Sequence, residues 1–253
     1  MPRLPAGTCL AFACVLVLPT VIRAEQQWGT VRGQVVWAPD RLPQPTKFKT
    51  DEAIQLPACV KGGEIFVDKY VVDAKTKGVR WVAVWLVNSD GGQDLPIHPD
   101  LRAVPAAKVV LDQPCVTFEP RVVCLREGQT LVARNSAPFP HNVTVQDADF
   151  NELVQPGKEK VLPKLPADSP PVMVECSFHP WMIAWVGVFK HPYFAVTDET
   201  GKFEIKDAPA GKYGIVAWQE TVGYVTQGKK KGEPIDIKAN DATEVKFAFT
   251  PKP

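Results

Sequence analysis

The chain consists of short runs in which apolar and polar residues alternate, separated by turn residues. Val, Ile, Phe and Trp recur with a period of two in segments such as 29–37, 142–146 and 182–189, and 25 prolines and 17 glycines punctuate the sequence. This alternation is typical of β-strands with one buried face. No segment longer than about ten residues keeps a helical period, although residues 103–111 could hold one turn of helix. The pattern predicts an all-β fold.

One segment combines three metal-ligating side chains. Residues 176–182 read Cys-Ser-Phe-His-Pro-Trp-Met, which places a thiol at Cys176, an imidazole at His179 and a thioether at Met182. A second imidazole, His141, lies upstream at the mouth of a predicted loop between alternating runs. Two His, one Cys and one Met form the set that holds copper in a trigonal electron-transfer site with a weak axial thioether. These residue types predict copper and not zinc.

The surroundings of these residues resemble the amicyanins, which are type 1 copper proteins of the cupredoxin family. Residues 135–143 read Asn-Ser-Ala-Pro-Phe-Pro-His-Asn-Val, and Cys-x2-His-x2-Met with Pro after the His is the short amicyanin form of the second ligand loop. The likeness covers roughly residues 115–190, about a third of the chain. It implies a cupredoxin Greek-key β-sandwich over 105–190. It also implies one type 1 copper held by His141, Cys176, His179 and Met182, in an electron carrier that is not an enzyme.

The resemblance also implies roles for residues beside the ligands. In cupredoxins the residue after the first His is often an Asn that bonds across to the ligand loop, so Asn142 is predicted to brace the site. Asn142-Val143-Thr144 is also a glycosylation sequon, but a glycan there would crowd the copper.

An apolar collar is predicted around the edge of His179, and electrons would leave through it to a redox protein partner. Phe139, Pro180 and Trp181 are the predicted docking contacts, while some of the aromatic residues, Phe178 especially, could instead point inward. The collar consists of Pro138, Phe139, Pro140, Phe178, Pro180 and Trp181.

The N-terminal sequence predicts export. Arg3, an apolar run over residues 9–22 and Ala24 before Glu25 are typical of a signal peptide covering 1–24. The alternative is a retained anchor, but the run is short for a bilayer-spanning helix. We expect a periplasmic or secreted protein with no membrane span after cleavage.

The charge balance gives no indication of a nucleic-acid partner. Removing Arg3 and Arg23 from the 29 basic residues leaves 27, against 28 acidic residues. The run Lys229-Lys230-Lys231 favours a solvated turn, with docking of an acidic partner as the alternative.

The mature chain has four cysteines, namely Cys59, Cys115, Cys124 and Cys176. Cys176 is assigned to copper, and export permits a disulfide among the other three. Cys124 alternates with Val122 in a predicted strand, which favours a buried free thiol and leaves Cys59 to pair with Cys115. Three pairings are possible, and the sequence does not rank them.

The remaining residues resemble a carboxypeptidase regulatory-like, or transthyretin-like, β-sandwich. Residues 192–250 contain its turn glycines and alternating apolar residues, while its opening strand, Gly-x-Val-x-Gly-x-Val, occurs at 29–35. We therefore expect residues 28–104 and 192–250 to form one sandwich, with the cupredoxin of 105–190 inserted between them. The competing layout has two tandem sandwiches, 28–190 and 192–250, and Lys190-His-Pro-Tyr193 is the predicted hinge.

The sequence also allows other functions to be considered. A multicopper oxidase or a copper nitrite reductase needs further histidines, and only His98 and His191 are left after the two predicted ligands. The alternative from another class is a non-redox cell-envelope module that binds carbohydrate or protein, or a copper-storage protein. Colour distinguishes these alternatives, because thiolate-bound Cu(II) absorbs visible light.

Overall fold

The computed structural model describes residues 26–44, 46–49, 64–67, 69–146, 148–167 and 170–251. Within them the fold is all-β, as predicted, with short 3-10 turns at Pro99–Leu101 and Lys229–Lys231. The helical turn expected in 103–111 instead lies at Pro99–Leu101. The strands are β1 Trp28–Trp37, β2 Thr46–Lys49, β3 Glu64–Val67, β4 Ala83–Val87, β5 Val109–Asp112, β6 Val122–Arg126, β7 Leu131–Arg134, β8 His141–Val145, β9 Asn151–Val154, β10 Glu159–Val161, β11 Val172–Cys176, β12 His179–Phe189, β13 Phe194–Val196, β14 Lys202–Pro209, β15 Gly211–Gln219, β16 Gly223–Tyr224, β17 Glu233–Ile237 and β18 Ala242–Phe249.

One pair of sheets combines strands from both ends of the chain. Strand β1 lies between β14, which is antiparallel to it, and β18, which is parallel to it. The facing sheet has the order β13-β4-β15-β16, with β17 also paired to β15. Valines of β1 and β4, including Val31, Val35 and Val84, share one core with Phe203 and Phe249. Strands β1 and β4, which precede residue 105, therefore pack with strands after residue 192, while the domain boundaries themselves stay a prediction.

A second pair of sheets lies between these segments in the sequence. Its sheets have the orders β10-β7-β5 and β6-β12-β11-β8-β9, and the short hairpin of β2 and β3 contributes Ile65 to the same core. The parallel pairs β5 with β7 and β6 with β12 connect strands that are distant in sequence. Leu111, Val143, Val174 and Val186 are fully buried between the sheets. Cys176 belongs to this core, so the candidate site is built into this sandwich.

The two sandwiches pack sheet against sheet. The outward faces of β6 and β12 meet those of β4 and β15, which explains why β4 is buried at all five positions and reads as a continuous apolar run. The ring centroids of Trp185 and Trp218 lie 5.1 Å apart in an edge contact. Arg121 forms two hydrogen bonds of 2.6 and 2.8 Å to Glu220, which also accepts the Trp185 indole N–H at 2.9 Å. The interface therefore contains a shielded ion pair as well as apolar surface.

The segment predicted as a hinge is packed and bonded. His191 and Tyr193 have no exposed surface, and the Tyr193 backbone N–H donates to His191 Nδ1 at 3.1 Å. Since Nδ1 accepts, Nε2 carries the proton and donates to the Leu86 carbonyl at 3.0 Å. Both ring nitrogens of His191 thus have partners inside the structure, and a hinge at this segment stays a prediction.

The described residues include three of the cysteines. Cys115 is disulfide-bonded, whereas Cys124 and Cys176 are free thiols. Cys59 and the predicted signal peptide lie outside the described residues, so the pairing of Cys59 with Cys115 stays a prediction. Burial raises the pKa of Cys124 to about 12, which keeps this thiol protonated.

The lysine run Lys229–Lys231 forms an exposed 3-10 turn, as the sequence favours. Among the described residues, no helix is long and apolar enough to cross a bilayer.

The shielded ion pair should be important for stability. In Glu220→Ala, Arg121 loses its carboxylate in an interface where the two side chains are only 15% and 8% exposed, so the free energy of unfolding should fall by about 3 kcal/mol. The exposed pair of Arg32 and Glu204 provides the control, and Glu204→Ala should change stability little. Urea unfolding of both variants measures the difference. Equal losses would contradict a stabilising role of the interface pair.

Candidate metal centre

A tight turn brings the thiol and one imidazole together. Strand β11 ends at Cys176, strand β12 begins at His179, and these two residues are paired across the hairpin. Only Ser177 and Phe178 lie between them, so their side chains stand next to each other on one face. The Cys176 Sγ atom lies 3.7 Å from His179 Nδ1.

The second imidazole comes from β8, the neighbour of β11 in the same sheet. The loop before His141 is shaped by Asn135, which is fully buried and donates to the carbonyls of Phe139 and Val154 at 2.9 and 2.7 Å. Its side-chain oxygen accepts the Ala137 backbone N–H at 2.9 Å. This loop delivers His141 to the core, with its Nδ1 atom 3.7 Å from Cys176 Sγ.

The three side chains have the spacing of metal ligands. One ligand atom from each of His141, Cys176 and His179 lies within 4.8 Å of the others, in the only such group that the described part of the chain contains. A metal bonded at about 2.0 Å to nitrogen and about 2.3 Å to sulfur in a trigonal plane separates N and S by about 3.7 Å. Both observed N···S distances, 3.7 Å, agree with that value. The donor set therefore fits a trigonal metal site.

The fourth predicted ligand enters the core through an irregularity in β12. Consecutive residues of β11, Glu175 and Cys176, are paired with Ile183 and His179, so residues 180–182 have no partners on β11. In a regular strand, residues three apart point to opposite faces, and an irregularity of this kind changes the facing. Met182 is 1% exposed and belongs to the same core cluster as Cys176. Its role as an axial ligand stays a prediction.

Asn142 connects the two segments that carry the cluster. Its side-chain oxygen accepts the Ser177 backbone N–H at 2.7 Å, and its amide nitrogen donates to Ser177 Oγ at 3.1 Å and to Asn151 Oδ1 at 2.6 Å. The residue is only 4% exposed. These contacts leave no room for a glycan, so the sequon has a structural role.

Burial favours the neutral form of both imidazoles, while backbone N–H groups act on the Cys176 sulfur. Burial, together with the neighbouring His179, lowers the pKa of His141 to about 4, and burial also lowers the pKa of His179. Burial raises the pKa of Cys176, while the backbone N–H groups of Asn142, Phe178 and His179 act in the opposite direction. Neutral imidazole is the form that binds metals. Proton release from the thiol would accompany metal binding.

The predicted collar is only partly at the surface. Trp181 is 5% exposed and donates its indole N–H to the Val116 carbonyl at 3.2 Å, with its ring 5.3 Å from that of His179. The prediction of Trp181 as a docking residue was wrong, because the irregular segment of β12 turns this side chain into the core. Phe178, for which an inward orientation was considered, is 52% exposed. Pro180 is exposed, and Phe139 is half-buried with its ring 5.0 Å from that of His141.

The two remaining histidines do not join the cluster. His191 uses both ring nitrogens in the packed connection described above, and His98 accepts the Asp100 backbone N–H at 3.3 Å. Sequence reasoning assigned no role to Asn135 or Gln113, which are buried polar residues around the site. Asn135 opens the segment 135–143 that resembles the amicyanins, and this position could have indicated its role. No sequence signal distinguishes Gln113.

Solved structures with similarity to this chain are cupredoxins. Amicyanin from Paracoccus versutus is 22% identical, with 41% of this chain and 90% of that chain covered and a TM-score of 0.29. A purple cupredoxin from Nitrosopumilus maritimus is 21% identical over 32% of this chain and 98% of its own, with a TM-score of 0.28. A copper-containing nitrite reductase from Thermus scotoductus is 19% identical over 38% of this chain and 27% of its own, with a TM-score of 0.30. No family model and no curated protein matches the chain. TM-scores of 0.28 to 0.30 establish no function for this chain.

The depressed pKa of His141 should make the metal-free protein acid-sensitive. The unfolded chain takes up this proton near pH 6.5 and the folded chain only near pH 4, so the free energy of unfolding should fall as the pH drops through this interval. His179 should contribute in the same direction. Urea unfolding of the wild type and of His141→Gln across these pH values tests this, since the variant should show a shallower dependence. Identical slopes would show that His141 has an ordinary pKa in the folded state.

Proposed function

We propose that this chain is an exported type 1 copper protein that carries single electrons between redox partners. The observation that carries the proposal is the buried group of two Nδ1 atoms, each 3.7 Å from one cysteine sulfur. Two imidazoles and a thiolate accommodate both copper valences, and bound copper would supply the one-electron chemistry.

The protein's own residues would have separate roles. His141, His179 and Cys176 would hold the metal in a plane, and Met182 would be the weak axial ligand. The support for rigidity is that the cysteine and histidines lie on paired strands and that Asn142 ties them together. A site held in one geometry needs little rearrangement when its charge changes.

Burial of the cluster favours electron transfer over chemistry on a bound substrate. His141 and Cys176 have no exposed surface, and His179 has 7%. Catalytic metal sites keep an open position for water or substrate, whereas an electron can cross a closed protein surface. We therefore propose a carrier and not an enzyme, with one copper for each chain.

Redox proteins are the proposed partners, and they would dock where the site comes nearest to the surface. Exposed Pro180 and Phe178 flank His179, and half-buried Phe139 lies beside them with its ring 6.2 Å from that of His179. Apolar surface of this kind favours protein contact. Trp181 would support this surface from beneath.

The second sandwich is proposed to be transthyretin-like and to serve as a spacer or docking platform. The support is the pairing of β1 with β14 and β18, which joins both ends of the chain. A periplasmic or secreted location is proposed from the N-terminal sequence.

Copper binding can be tested with Cys124 and Cys176, the two thiols that are free in the described part of the chain. The mature protein should bind one copper and develop a strong visible band on oxidation, because thiolate charge transfer requires Cys176 bound to Cu(II). Cys176→Ser should abolish the band, whereas Cys124→Ser, which alters the other free thiol, should retain it. Absorption and electron spin resonance spectra measure both. A band that survives in Cys176→Ser would refute the ligand assignment.

The axial role of Met182 requires a separate measurement. Met182→Gln should retain copper and colour but lower the reduction potential, because an amide oxygen favours Cu(II) more than a thioether does. If Met182 is only a core residue, the buried amide should cost about 1 to 3 kcal/mol of stability and leave the potential unchanged. Met173→Gln, on the half-buried face of β11, is the control. Voltammetry and thermal melting distinguish the two outcomes.

A further inference from the structure

Gln113 is a buried polar residue whose position is unexplained by packing. It follows β5 directly and has no exposed surface. Its side-chain Nε2 donates to the Asn142 carbonyl at 3.0 Å, while its Oε1 is buried without a hydrogen-bond partner among the described residues. Burying an amide oxygen without a hydrogen-bond partner costs free energy. An apolar side chain would therefore suit a purely packing role better at this position. The bond to Asn142 is therefore the contact that distinguishes this residue.

The backbone of Gln113 contacts the loop that leads into His141. Its N–H donates to the Arg134 carbonyl at 2.9 Å, and its carbonyl accepts the Ala137 N–H at 3.0 Å. Its side chain reaches the residue that follows His141. Gln113 thus contacts the chain on both sides of His141, with two hydrogen bonds before it and one after it.

Asn142, whose carbonyl Gln113 holds, acts on the cluster in two ways. Its backbone N–H interacts with the Cys176 thiol and opposes the effect of burial on the pKa of that thiol. The Asn142 side chain accepts the Ser177 N–H at 2.7 Å, at the turn between Cys176 and His179. A hydrogen bond that fixes the Asn142 carbonyl restricts rotation of this backbone, and so restricts the direction of its N–H.

We propose that Gln113 is a positioning residue of the metal centre, which acts through Asn142 on the sulfur of Cys176. This inference rests on the proposed function. Hydrogen bonds to the cysteine sulfur tune the reduction potential of trigonal copper sites, and outer residues that orient such groups influence the metal without touching it. Loosening the backbone of Asn142 weakens the interaction of its N–H with the sulfur. The thiolate then donates more charge to the metal, which favours Cu(II).

A second buried glutamine provides a matched control. Gln219 lies in the other sandwich, is 2% exposed, and donates through Nε2 to the Lys69 carbonyl at 2.7 Å. Gln113→Met and Gln219→Met each remove a buried bond from an amide to a carbonyl while preserving side-chain length, and Gln219→Met also removes the two bonds that the Thr221 N–H and hydroxyl donate to Gln219 Oε1. Both should lower the melting temperature. Only Gln113→Met should lower the reduction potential and shift the thiolate absorption band of the copper-loaded protein.

A readout that needs no copper separates this inference from the proposed function. In the metal-free chain, hydrogen exchange at the Asn142 amide, taken relative to Val174 in the same sheet, should be roughly fivefold faster in Gln113→Met, the factor for loss of one ordinary hydrogen bond. Gln219→Met should leave this ratio unchanged. If the wild type binds no copper, the proposed function fails, and the exchange ratio still decides whether Gln113 fixes the Asn142 backbone.

The proposal is overturned if Gln113→Met changes only the melting temperature, as Gln219→Met does. Gln113 would then be a packing residue, whatever the metal content of the protein. Should Gln113→Met fail to fold, Gln113→Glu preserves the shape and replaces the amide donor with a carboxyl group. The potential, the absorption band and the Asn142 exchange ratio are then compared with those of Gln219→Glu.

Discussion

The turn between β11 and β12 is the constraint on which the candidate site depends. Because Cys176 and His179 are paired across it, the sulfur and the imidazole are held together by the backbone of one hairpin. The three residues after His179 have no partners on β11, which changes the facing of β12 and sends Met182 into the core that contains Cys176. A regular hairpin of the same sequence would leave Met182 on the opposite face from His179. The burial of Met182 in the same core as Cys176 is thus a consequence of an irregularity in the strand.

Strand β12 also connects the site to the rest of the molecule. Its first residue belongs to the metal cluster, while Trp185 and Phe189 pack in the interface between the sandwiches. The ion pair between Arg121 and Glu220 reinforces the same contact, and Glu220 also accepts the Trp185 indole N–H. The second sandwich therefore braces the strand that carries His179. Together with the packed connection through His191, this gives the interface the character of a domain core and not of a flexible joint.

The sequence predicted the features that depend on residue type and short-range pattern. Alternation identified strands such as β14, where Phe203 and Ile205 are buried and their neighbours are exposed. The ligating residue types at 141, 176 and 179 identified side chains that the structure brings together. Orientation was not predictable where it depends on register: Trp181, predicted in the exposed collar, is buried, whereas Phe178, whose orientation the sequence left open, is exposed. The packing of the His-Pro segment was not predictable either, because no local pattern reveals partners such as the Leu86 carbonyl.

Under the proposed function, the way in which the site reaches the surface limits how it could exchange electrons. His179 is the only one of the three clustered residues with any exposed surface, at 7%, and Trp181 covers another side of its ring. A small molecule cannot approach the sulfur through so narrow an opening, whereas an apolar partner surface can press against Pro180 and Phe178 and bring its own redox group near the imidazole. Under the proposed function, the buried Trp181 therefore affects electron transfer through the orientation of His179, and the exposed Phe178 affects it through the encounter with the partner. The two aromatic residues lie only three positions apart in the sequence, yet under the proposed function they would act on different steps.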